Sequence, residues 1–151
     1  MIFLDRDHNA IEFAESLYAN LSRKYEISFL RSSPDLSYPL IAKKMADLIL
    51  ANPGSLGILI CQTGIGMSIV SNKYKGVFAN NCKSEEECFC FKSKNHGNVL
   101  CLGAKIISVA EAIKICNVFL STEFDVRTQN RIDLIMQLDS NTFSNHMGRI
   151  E

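Results

Sequence analysis

Gly57-Ile-Leu-Ile-Cys61-Gln-Thr-Gly64-Ile-Gly66-Met-Ser-Ile-Val-Ser-Asn-Lys73 decides the fold. The apolar run Ile58 to Ile60, with Cys61, leads straight into a short turn of glycine and threonine. Apolar residues at Ile65, Met67, Ile69 and Val70 follow. This is the pattern of a buried parallel strand handing over to a helix across a tight loop. The cysteine therefore stands at the carboxyl end of a strand, facing a helix amino terminus. The field there favours a thiolate and binds anions. A small anionic substrate beside a reactive thiol is the chemistry implied.

Common phosphate-binding motifs fail on this stretch. A P-loop counted from Gly57 would need its second glycine where Gln62 stands. A dinucleotide fingerprint begun at Gly64 and Gly66 would need its third glycine at Ile69. A cysteine-phosphatase loop would need an arginine at Met67. What remains is a Cys-x-Thr-Gly-x-Gly-x-Ser turn.

The whole chain bounds the answer further. Its 151 residues suit a single domain with a full core. Sixteen basic residues balance sixteen acidic ones, which excludes an electrostatic case for nucleic acid or an anionic membrane. No apolar stretch approaches a bilayer span, and no segment has a signal-peptide layout. The cysteines at 61, 82, 88, 90, 101 and 116 lack the paired spacing of zinc ribbons, so reduced thiols in a cytoplasmic protein are expected, with no metal.

Strands and helices alternate from end to end. Strands are expected at Ile2 to Leu4, Glu26 to Leu30, Leu56 to Cys61, Gly76 to Ala79 and Val99 to Leu102. Helices are expected at Ala10 to Lys24, Pro39 to Ala51, Ile65 to Tyr74, Ser84 to Lys92, Val109 to Leu120 and Arg127 to Leu138. The alternation predicts an α/β fold: a Rossmann-like, doubly wound, parallel five-stranded sheet in an α/β/α sandwich. Residues 1–140 form the domain and 141–151 a polar tail. Ligands of such sheets bind beyond the carboxyl ends of the strands, at the switch in strand order. That rim collects Asp5-Arg6-Asp7-His8, Cys61 to Gly66, Asn80-Asn81-Cys82 and Gly103-Ala104-Lys105.

With those residues in place, the chain resembles the family of ribose-5-phosphate isomerase type B and its galactose- and allose-6-phosphate relatives. Asp7-His8, Tyr38-Pro39, the Gly57 to Lys73 stretch, Asn98-Val99-Leu100 with Gly103, and the pair Arg127 and Arg131 carry the likeness. The resemblance implies a Rossmann-like fold and a homodimer, or dimer of dimers, with active sites shared across the interface. It implies aldose–ketose isomerisation of a sugar phosphate through an enediolate, without a cofactor.

The same resemblance assigns roles. Cys61 is the base, and the loop N–H groups from Gln62 through Gly64, Ile65 and Gly66, with Thr63, hold the enediolate oxygens. Arg127 and Arg131, four residues apart and expected on one face of the last helix, grip the phosphate with His8. Asp7 handles sugar hydroxyls or ring opening, and Tyr38 either covers the sugar or packs. Lys105 stands where relatives usually carry an arginine. The family's His-Asn-Asp stretch aligns without a gap on Lys94, Asn95 and His96; a short gap aligns the histidine with His96 instead. Gln62 replaces a family glycine, and a left-handed backbone there would be costly.

Ribose 5-phosphate and ribulose 5-phosphate are the expected pair. The alternatives are a six-carbon sugar phosphate or a non-catalytic sugar-phosphate-binding protein.

Overall fold

The computed structural model describes residues 1–147, with side chains described through Asp139. Its element order is β1 (Ile2–Arg6), a 3-10 turn (His8–Ala10), α1 (Ile11–Leu21), β2 (Ile27–Phe29), α2 (Tyr38–Ala51), β3 (Leu56–Cys61) and α3 (Ile65–Ser71). There follow β4 (Ala79–Asn81), α4 (Glu85–Asn95), β5 (Val99–Gly103), α5 (Val109–Ser121), a second 3-10 turn (Val126–Thr128) and α6 (Gln129–Met147). The five strands pair in parallel in the order β2-β1-β3-β5-β4. The order of strands reverses between β1 and β3, which puts the switch crevice where Arg6 and Ile60 pair at the strand ends.

Strand period two sorts the core into two layers. Leu4, Ile58, Ile60, Leu100 and Leu102 face α1, α4 and α5, packing on Leu17, Phe91, Ile115 and Phe119. Phe3, Leu59, Cys61, Val99 and Cys101 face α2 and α3, packing on Ile41, Met45, Ile49 and Met67. Ile58, Leu59 and Ile60 are wholly buried, and burial of such a side chain contributes ~1.5–3 kcal/mol. Cys61 thus points into the α2/α3 layer, the side on which the loop to α3 folds over.

Some boundaries differ from expectation. β4 begins at Ala79 rather than Gly76, because Gly76 takes a left-handed φ of +89° and Asn98 ties down the preceding segment. Asn98 accepts from the Phe78 N–H at 2.8 Å and donates to the Gly76 carbonyl at 2.9 Å. Arg127 lies in the 3-10 turn, not on the last helix. That helix runs to Met147, into the expected tail, and residues 148–151 of that tail lie outside the described residues. No helix among the described residues is long and apolar enough to cross a membrane.

Candidate active site

The loop after β3 is held from outside by its carbonyls. The Cys61 and Gln62 carbonyls accept from the N–H groups of Ala104 at 2.8 Å and Lys105 at 3.0 Å. The Thr63 carbonyl accepts from Asn81 Nδ2 at 2.9 Å. Gly64 turns with φ +79°, a conformation glycine adopts without penalty, and caps α3. Its N–H donates to Cys61 Sγ at 3.1 Å, and Ile65 N–H meets Thr63 Oγ1 at 3.3 Å. Among non-glycine described residues positive φ occurs at Arg31 and His96, so Gln62 sits in ordinary backbone space and fits in place of a glycine.

Cys61 is 6% exposed at the crevice, whereas Cys82, Cys101 and Cys116 lie deeper, at 1%, 0% and 0%. Burial pushes the Cys101 and Cys116 thiols well above their ordinary value. A hydrogen bond with Cys88, then burial, does the same to Cys82. Those three stay protonated and inert.

Asp7 and His8 follow β1 across the crevice from this loop. The Asp7 N–H donates to the Ile60 carbonyl at 3.1 Å, and its carboxylate accepts from the Asn9 N–H at 2.9 Å, starting the 3-10 turn. Asp7 is buried and His8 exposed. Tyr38 opens α2 and lays its ring on Gly66, in the first turn of α3. Lys105, after β5, is exposed at the same rim. The structure therefore brings Asp7, His8, Tyr38, Gln62, Thr63, Gly64, Ile65, Gly66 and Lys105 around Cys61.

The same chain does not bring His96, Asn95, Arg127 or Arg131 there. Helices α4 and α5 start at the carboxyl rim and run back, so their far ends reach the opposite rim. His96 ends α4 in a left-handed cap (φ 54°), two residues before Asn98, whose carbonyl accepts from the Gly57 N–H at the start of β3 (2.8 Å). Its ring stacks on Phe124 with centroids 4.4 Å apart; burial, then the Lys92 charge, lowers its pKa. Asn95 bonds the Cys90 carbonyl at 3.4 Å. The turn carrying Arg127 is tied to α4 by Asp125 N–H on the Ser93 carbonyl (2.8 Å) and Thr128 Oγ1 on the Lys94 carbonyl (3.2 Å).

Arg127 forks onto Asp125, with Nε to Oδ1 and Nη2 to Oδ2 both at 2.8 Å, and Lys94 Nζ meets the same carboxylate at 2.8 Å. The Arg127 fork, then Lys94, holds the Asp125 carboxyl far below the usual carboxylate range. Lys94, Asp125 and Arg127 line one open cavity with Phe89 and Ser93. Arg131, one turn on, is exposed.

Two residues that the sequence places at this rim without a role gain one in the structure. Asp5, wholly buried inside β1, accepts from the N–H groups of Arg6 (2.9 Å) and Ser32 (3.0 Å) and from Ser32 Oγ (2.5 Å), and Lys44 adds a bond to Ser32 Oγ at 3.1 Å. This network anchors the loop leading to Tyr38. Asn81, the other, reaches the Cys61 loop. A carboxylate inside a parallel strand, and paired asparagines ending one, were the available signals.

The chain matches the Ribose/Galactose Isomerase family model over residues 2–135. It is 33% identical to a chain of Mycoplasma genitalium named "Probable ribose-5-phosphate isomerase B", covering 93% of this chain and 97% of that one. The crystal structure of ribose-5-phosphate isomerase B from Mycoplasma genitalium with bound ribulose-5-phosphate superposes with a TM-score of 0.84 at 32% identity, covering 92% of this chain and 95% of that one. The Thermotoga maritima ribose 5-phosphate isomerase gives 0.83 at 36% identity, covering 90% and 97%. A five-stranded parallel sheet with Cys61 at its switch crevice, and a match that runs from β1 into α6, establish that this chain belongs to the ribose/galactose isomerase family.

Proposed function

We propose that this protein interconverts ribose 5-phosphate and ribulose 5-phosphate, with Cys61 as the base. The observation that carries the reading is the Cys61 thiol at the switch crevice, with Gly64 N–H on its sulphur and Asp7 and His8 opposite. The thiolate takes the proton from C2 of the open-chain aldose, and the electron pair moves to the carbonyl oxygen as the enediolate forms. Loop donors from Gln62 to Gly66, with Thr63, stabilise that charge. Returning the proton to C1 completes the ketose. Asp7 handles the hydroxyl protons, and Tyr38 closes over the sugar.

The phosphate clamp and the ring-opening group come from a second copy of the chain. His96 or Lys94, with Asn95, Arg127 and Arg131, stands at the rim opposite Cys61, so one chain by itself does not assemble the full set. A dimer that sets the amino rim of one copy against the carboxyl rim of the other would complete two sites. His8 and Lys105 meet the phosphate from the Cys61 side. The five-carbon reading is favoured over the six-carbon one by the relatives' names and by the bound ribulose-5-phosphate of the Mycoplasma genitalium structure. Six free thiols support a reducing, cytoplasmic setting. Following interconversion of ribose 5-phosphate, galactose 6-phosphate and allose 6-phosphate in parallel tests the proposal. Turnover confined to a six-carbon substrate, or binding of all three without turnover, would overturn it.

A further inference from the structure

We infer that Asn81 is a positioning residue for Cys61, acting through one peptide group; the inference rests on the reading of Cys61 as the base. Asn81 Nδ2 donates to the Thr63 carbonyl at 2.9 Å, and the Gly64 N–H donates to Cys61 Sγ at 3.1 Å. That carbonyl and that N–H belong to the same peptide plane. A trans peptide points them in opposite directions, so gripping the oxygen aims the hydrogen. Glycine at 64 makes the grip necessary. With φ of +79° and no Cβ, residue 64 has little steric preference for either sense, and this peptide is free to rotate unless held.

The neighbouring carbonyls, of Cys61 and Gln62, are held by backbone N–H groups of the strand β5 exit, and the Thr63 carbonyl is held by the Asn81 side chain. The surroundings are shaped for it. A methyl group on Gly103 would stand 2.5 Å from the Thr63 oxygen, and one on Gly64 would stand 2.6 Å from Asn81 Oδ1. Glycine at both positions lets the amide lie against the loop. The donated bond also polarises the peptide, strengthening the N–H that meets sulphur.

The test is Asn81→Leu, which keeps the bulk without the donor, and Asn81→Asp, which keeps the shape and presents an oxygen to the Thr63 carbonyl. Asn80→Ala, whose side chain meets Glu87 and Cys82, is the control at the same strand end. In a Cys90→Ser background, alkylation of Cys61 by iodoacetamide at fixed pH is followed by peptide mass spectrometry, beside kcat and KM for ribose 5-phosphate. Both Asn81 variants should lose roughly tenfold in kcat and several-fold in alkylation rate, with KM within about twofold, as expected for a lost hydrogen bond felt at the reacting group. Alkylation and kcat within twofold of the parent in both variants would overturn the inference. If Asn81→Leu fails to fold, Asn81→Asp carries the test. Slower alkylation alongside a fully active Cys61→Ser enzyme would keep the Asn81 coupling and discard Cys61 as base.

Discussion

The ring of Tyr38 occupies the space that any side chain at Gly66 would need: a methyl group there would stand 2.5 Å from Cε2 and 3.0 Å from the hydroxyl. The first turn of α2 and the first turn of α3 are thereby locked together at the crevice mouth. Gly66→Ala should push Tyr38 off the loop, lowering the melting temperature, since forced overpacking costs ~1–3 kcal/mol. Adding Tyr38→Ala should recover the stability. If the ring also covers the sugar, KM stays raised in the double variant. A double-mutant cycle with no coupling would show that the two residues do not meet in solution.

The clamp makes a second prediction. Arg127→Ala and Arg131→Ala should each weaken inhibition by inorganic phosphate, because one charge-assisted bond contributes ~1.5–3 kcal/mol. Arg127 is already paired with Asp125, so phosphate must displace a carboxylate. Asp125→Asn should therefore tighten phosphate inhibition. Unchanged inhibition in both arginine variants would remove this turn and helix from the site.

Titration offers a third check. The folded Asp125 carboxyl is held below its ordinary value by Arg127 and Lys94, so its contribution to stability is present above that value and fades as pH falls through the acid range. His96 runs in the same direction, in a higher pH range. Its folded pKa is lowered, so the unfolded chain binds the proton more readily and stability falls as pH drops below about 6.5. Proton NMR should place the His96 midpoint below that of a free histidine, and Phe124→Ala, which exposes the ring, should raise it. A midpoint at or above 6.5 in the parent would contradict the stacked, desolvated ring.

Much of this was legible in the sequence because the signals were local. The apolar run into Cys61 announced both β3 and its loop, and alternation of strands and helices gave the sheet. β4 was misplaced because its start is set by Asn98, twenty-two residues away from the Gly76 carbonyl that it binds, and no window of sequence shows that bond. Arg127 and Arg131 are indeed four apart, but Asp125 caps a 3-10 turn through the Arg127 N–H at 3.1 Å, which ends the simple helical count. Asn81 was visible as a polar residue at a strand end. Its partner, the Thr63 carbonyl, is backbone and carries no letter.

The opposed rims give the last prediction. Cys61→Ser should nearly abolish isomerisation, because a serine hydroxyl is too weak an acid to shuttle the C2 proton near neutral pH. His96→Ala should slow ribose 5-phosphate more than ribulose 5-phosphate if His96 opens the ring, since the ketose cannot close into a furanose. A positioned acid typically gives ~10²–10⁴-fold, so the asymmetry should be large. Each variant alone then has every site damaged. If Cys61 and His96 of one site come from different chains, mixing the two variants and exchanging subunits creates heterodimers with one intact site and one doubly damaged site. Activity should return toward half the parent's per heterodimer. Exchange confirmed by mass spectrometry without any recovery would place both residues in one chain's site or exclude His96 from it. The same experiment with Lys94→Ala in place of His96→Ala decides between the two alignments: the ring-opening residue is the one whose variant loses ribose 5-phosphate turnover alone and regains it on mixing.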